Sequence, residues 1–188
     1  MRWLTATIGF SIAVGALIDA APTVSLDVGS AAAPLVAPAP NPEPVPMLRG
    51  RKLEVPVEGI DAEDLRDTFL AARGRTRAHR AIDIMAPRHA PVRAIDDGVI
   101  VKLETSAAGG TTLYQLDASG NFCFYYAHLE AYAPGLLEGQ RVERGQTIGF
   151  VGSSGNASRP HLHFAIFRLP PDGRWWKGEP INPYAVFR

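Results

Sequence analysis

Four of the five histidines in this 188-residue chain fall into three short patterns: His79 with Asp83 in HRAID, His128 in YYAHL, and His161 with His163 in HLH. Imidazole nitrogen and carboxylate oxygen are the ligands of hydrolytic zinc sites, three from the protein with a fourth position open to water. The patterns supply three such ligands and two further imidazoles, the side chain best suited to moving protons near neutral pH. Taken singly, each pattern reads as ordinary structure: an exposed ion pair, a core histidine in an aromatic strand, a chance HxH. Together they make a catalytic zinc inventory, because structural zinc sites are closed and favour thiolates. The single cysteine, Cys123, leaves no second sulfur for a thiolate site and no intramolecular disulfide framework.

The elements must position these groups. Residues two apart on a strand share a face, so His161 and His163 project together while Leu162 enters the core. On an ideal strand His79 and Asp83 would stand about 13 Å apart. HRAID should therefore bend, or begin in a loop with His79 off the strand end. Ala81 lies between the two and has to be small. YYAHL places His128 on the face of Tyr126, Phe124 and Phe122, and Cys123 on the opposite face as a buried, inert thiol.

Alternating segments at 91–95, 98–104, 111–117, 121–129, 147–152 and 161–168 read as strands, and LEVPV (53–57) also alternates. Gly109-Gly110, Ser119-Gly120, Glu138-Gly139 and Gly152–Gly155 supply turns. A short helix is expected near 61–68, capped by Asp61. Many short strands with almost no helical period imply a mainly β, antiparallel domain over 49–188.

Two segments precede it. Residues 3–18 carry no charge behind Arg2, which fits either a signal peptide cleaved near Ala20 or a retained membrane anchor over 1–21. Both readings export the domain. Residues 22–48 form a linker in which Pro34, Pro38, Pro40, Pro42, Pro44 and Pro46 favour an extended polyproline II stalk. One of the 19 basic and three of the 19 acidic residues precede Arg49, leaving 18 and 16 from Arg49 onward. That near balance excludes an electrostatic nucleic-acid binder.

GSSGNASRPHLHF (152–164), with HRAID, YYAHL and the closing INPY (181–184), resembles the LytM/lysostaphin-type zinc metalloendopeptidases that cut peptidoglycan, in the family's motif order over about residues 52–184. The resemblance implies a small antiparallel β-sheet domain with one Zn2+ in a groove between loops. It implies His79, Asp83 and His163 as zinc ligands, and His128 and His161 as the imidazoles that assist a zinc-bound water. Where the family often has glycine between the first His and Asp, this chain has Ala81. The function implied is hydrolysis of peptide cross-links in the cell wall, by an exported protein either soluble in the periplasm or tethered to the inner membrane through residues 3–18. Arginines at 73, 75, 77 and 80 surround His79, and Arg77, Arg80 and Asn156 are candidate substrate contacts, guanidinium matching the carboxylates of a wall peptide. Trp175 and Trp176 are expected to cover the core's edge, and His89 to lie exposed in a turn. The alternative is a non-catalytic LytM-like regulator that binds wall or activates an amidase, although such relatives usually lose ligands and this chain keeps them all. Division or wall-synthesis proteins are further partners that the sequence does not specify. A cupin-type barrel also uses HxH, but it would want a glutamate soon after, and residues 164–168 hold no carboxylate.

Overall fold

The period-2 runs become strands at their expected places. The structure, a computed structural model, describes residues 43–73 and 77–188. The expected signal or anchor over 1–21 and most of the proline-rich linker lie outside those residues. The strands are β1 (Ala72–Arg73), β2 (Arg77–Ala78), β3 (Ile82–Met85), β4 (Pro91–Arg93), β5 (Gly98–Ser106), β6 (Gly110–Asp117), β7 (Phe122–Tyr132), β8 (Arg141–Val142), β9 (Thr147–Val151), β10 (His161–Arg168) and β11 (Glu179–Ile181). Among the described residues, nine of them join one sheet whose path runs β11-β10-β7-β6-β5-β8, with β3 on β10, and β9 linking β7 to β4. Each pairing is antiparallel.

One face of this sheet makes the core. Phe122, Phe124 and Tyr126 of β7 bury beside Leu162, Phe164 and Ile166 of β10 and Ile82 and Ile84 of β3. Their alternation fixes the register, because a slip of one residue would turn the whole apolar set outward. The same register sets His163 opposite both Asp83 on β3 and Ala127 on β7.

Three expectations need correction. The extended stalk does not continue to residue 48: Pro44–Gly50 form a helix, α1, and Leu48 is fully buried. Pro44 and Pro46 sit in its first turn, where the amide has no intrahelical acceptor, so neither proline removes a hydrogen bond there. Burial of Leu48 and a bond from Arg49 Nε to the Ala185 carbonyl (2.8 Å) tie this turn to the domain. The helix expected near 61–68 is only a 3₁₀ turn over Ala62–Asp64, in which the Asp61 N–H donates to the Asp64 carboxylate at 3.2 Å. LEVPV forms no strand and contributes a single bridge, Val57 to Val92, since Pro56 lacks the donor a ladder would need.

Candidate functional site

Arg80 takes a left-handed conformation (φ +57°) between His79 and the start of β3. That turn replaces the extended separation and brings His79 Nε2 to 3.0 Å from Asp83 Oδ1. From β10, His163 Nδ1 lies 3.1 Å from the same oxygen and 2.9 Å from His79 Nε2. The three ligand atoms all lie within 4.8 Å of one another. A tetrahedral ion with bonds of about 2.0–2.1 Å needs ligand atoms about 3.3 Å apart. The N, N, O set therefore fits zinc with an outward adjustment of a few tenths of an ångström. Burial alone would raise the Asp83 carboxyl, but hydrogen bonds from His163 and His79 outweigh it and hold the group well below the usual carboxylate range.

Thr68 holds two of the three. Its carbonyl accepts from His79 Nδ1 at 3.0 Å, and its hydroxyl accepts the Asp83 N–H at 3.2 Å. A carbonyl only accepts, so Nδ1 carries the proton and Nε2 presents the lone pair. No spacing in the sequence points to Thr68, because it reaches the site through loop geometry.

His128 departs from the expected face. By alternation it would follow Phe124 and Tyr126 into the core. Instead β7 holds one extra residue between Tyr126 and Leu129 relative to β6, and His128 adopts φ +62°. This bulge turns His128 to the side of Tyr125 and His163, whose ring lies 5.7 Å away. Two turns clamp it: the Gly109 carbonyl accepts the His128 N–H at 2.8 Å, and the Ser154 carbonyl accepts from His128 Nδ1 at 2.8 Å. The turns meet at Gly110 and Gly155, both at positive φ, where a Cβ on Gly110 would overlap Ser154. The sequence shows both glycine turns but not that they touch. His161 is oriented in the same way, its Nδ1 donating to the Arg159 carbonyl at 2.8 Å, with Nε2 3.6 Å from Asp83 Oδ1. The two rings are 4.8 Å apart. Burial lowers the His128 pKa against the raising effect of the Ser154 bond, and the His161 and His163 charges add to the lowering.

The site lies where two lobes of a cleft meet. His128 and Asn156 line both lobes. The narrower lobe, about 290 Å³, is bounded by His79, His163, Tyr125 and Gly109. The wider, about 590 Å³, is bounded by Asp83, His161, Met85 and the 156–159 turn.

The model of peptidase family M23 matches residues 77–183, more than half of the chain, and takes in all five of these residues. The chain belongs to peptidase family M23. It is 39% identical over 110 residues to the DD-carboxypeptidase/endopeptidase Mpg of Neisseria meningitidis serogroup B, covering 58% of this chain and 23% of that protein. It is 36% identical over 132 residues to the L-Ala–D-Glu endopeptidase of Bacillus subtilis, covering 65% of this chain and 39% of that one. The matches thus span about a quarter to two-fifths of these relatives' length. Among solved structures, the catalytic domain of the antimicrobial peptidase lysostaphin from Staphylococcus simulans superposes with a TM-score of 0.50 at 29% identity, over 57% of this chain and 79% of that domain.

The remaining expected residues of this M23 domain divide. Asn156 stands at the junction of the lobes. Arg80 is exposed and lines neither lobe, since its left-handed turn serves the bend between the ligands. Arg77 is placed in β2, and its side chain and residues 74–76 lie outside the described atoms. Ala81 is buried and lines neither lobe, so its small size serves packing beneath the bend. His89 is exposed in its turn. Trp175 packs on Tyr114 at 5.0 Å over the outer face of the sheet, while Trp176 is 63% exposed. Cys123 is fully buried and burial pushes its thiol up to about 12, so it is inert. The bulge puts His128 on the Tyr125 side of the strand, so burial is what silences Cys123.

Proposed function

We propose that this chain is an exported zinc metalloendopeptidase that hydrolyses peptide bonds of peptidoglycan, periplasmic and either soluble or held to the inner membrane by residues 3–18. The observation that carries the reading is the convergence of His79 Nε2, His163 Nδ1 and Asp83 Oδ1 beside two rings whose Nδ1 protons are fixed by backbone carbonyls. Zinc held by those three atoms would supply Lewis acidity, lowering the pKa of a water at its open position and polarising the scissile carbonyl. The chain's own residues supply the rest. With Nδ1 protonated, the neutral rings of His128 and His161 present bare Nε2 atoms as proton acceptors. The lowered pKa of His128 keeps its Nε2 unprotonated near neutral pH, ready to take the proton of the attacking water. Once protonated, either ring donates to the oxyanion or to the departing amine. Asn156, shared by both lobes, is positioned to hold the peptide backbone across the site.

The test is direct. The full chain should bind one zinc and release peptides from isolated sacculi. His161→Ala should keep the zinc and lose the hydrolysis. A wild-type chain that binds zinc but releases nothing from sacculi would return the reading to a non-catalytic wall-binding regulator.

A further inference from the structure

The two lobes differ in their lining as well as in size. Among the described residues, none that lines the narrow lobe is an Asp, Glu, Lys or Arg. Two exposed arginines, Arg66 and Arg159, line the wide lobe. Neither guanidinium is hydrogen-bonded or ion-paired to any described residue. Several other arginines are paired: Arg51 and Arg144 on Asp96, Arg88 on Glu130, Arg93 on Glu58, Arg174 on Asp172, and Arg188 beside Glu63, while Arg80, Arg141 and Arg168 line neither lobe. Two carboxylates also line the wide lobe. Asp83 belongs to the His79–His163 group, and Asp64 accepts the Asp61 N–H at 3.2 Å. Arg159 stands two residues before His161 and lends that ring its carbonyl, so its side chain is attached to the backbone that sets the site.

A guanidinium binds carboxylate through a planar pair of N–H donors, and it does so best where a wall limits hydration. Two guanidinium groups on the lining of one lobe, with no partner among the described residues, favour a peptide that places a carboxylate there. We infer that Arg66 and Arg159 form a carboxylate-binding subsite in the wide lobe, and that the substrate half seated against His161 bears a free carboxylate close to the scissile bond. The inference rests on the peptidase reading for the word substrate, but its test does not. It concerns Arg66 and Arg159 in place of the arginines around His79.

The probes are an N-acetylated alanine dipeptide with a free C-terminal carboxylate and the same dipeptide as its carboxamide, titrated into the full zinc-loaded chain and followed by NMR. The wild-type chain should bind the acid about five- to tenfold more tightly than the amide. Arg66→Gln with Arg159→Gln should bring the acid down to the affinity of the amide, and Arg159→Lys alone should keep part of the preference. Both residues are exposed, so thermal unfolding of the double variant should match wild type. Equal affinities in the wild type, no binding of either dipeptide, or a preference that survives in the double variant would each overturn the subsite. Hydrolysis of sacculi is scored separately. An acid preference in a chain that cleaves nothing keeps the subsite and sinks the peptidase reading, and active cleavage without acid preference does the reverse.

Discussion

Arg51, Asp96, Asp117 and Arg144 form one polar cluster of this domain, and His79, Asp83 and His163 form another. In the first, Arg51 Nη1 bridges Asp96 (2.8 Å) and Asp117 (2.9 Å), while Arg144 Nη2 reaches the second oxygen of Asp96 (2.7 Å). Asp117 Oδ1 also accepts the backbone N–H groups of Asn121 (2.9 Å) and Phe122 (2.8 Å). Two positive charges meet two negative ones, and the group pairs off. In the second cluster, two ring nitrogens and one carboxylate oxygen converge on a point. The first arrangement closes a sheet corner by itself, and the second has the form of a ligand shell. Satisfied buried networks rigidify a fold, whereas convergent donor atoms mark a place for something else to bind. Burial alone does not separate the two kinds. The balance and direction of the atoms do.

The comparison breaks most sharply at His163→Ala. Stoichiometric zinc binding, read by equilibrium dialysis, and hydrolysis of sacculi should both be lost. The stability of the metal-free protein should change by about 1 kcal/mol or less, as for a substitution outside the core. Asp117→Ala should show the reverse. It strands Arg51 and two backbone N–H groups and should cost about 3 kcal/mol in urea unfolding, while the protein that remains folded still binds zinc.

Gly110→Ala tests the link between scaffold and site. A Cβ at φ +66° would overlap Ser154, whose carbonyl orients His128. The strain should cost about 1–3 kcal/mol and lower kcat more than it raises KM. The smallest effect is expected from pH. Burial would raise the Asp96 carboxyl, but its bonds from Arg144 and Arg51 outweigh that and lower it. A carboxyl lowered by folding adds stability above its unfolded value of about 3.9 and loses it as pH falls from there toward the folded value. The urea midpoint of wild type should therefore drop on going from about pH 5 to about pH 3, and Asp96→Asn should show a smaller drop.

The sheet, and the meeting of His79, Asp83 and His163, were legible because both follow from strand geometry. HLH needs only the two-residue repeat of a strand, with Leu162 buried as its check, and the bend in HRAID follows from the reach of an extended chain. What was not legible depends on contacts between distant segments. The strand period sends His128 inward, and only the clamp between residues 109–110 and 154–155 turns it out. Thr68 contributes a hydroxyl and a carbonyl from a loop with no pattern of its own. Proline-rich sequence signals an extended chain, yet a buried Leu48 outweighs that preference and the prolines fall where a helix tolerates them. The arginines around His79 were conspicuous by number, while Arg66 and Arg159, far apart in sequence, line the same lobe only in the folded chain.

The bulge at His128 also has a consequence for anyone who would move this site to another protein. Copying the five ligand and imidazole positions onto a regular strand would aim the 128 ring into the host's interior, since no residue of HRAID, YYAHL or HLH encodes the reversal. The portable unit is larger and discontinuous. It comprises β7 with its extra residue, together with the 108–112 and 152–155 turns that grip it from either side.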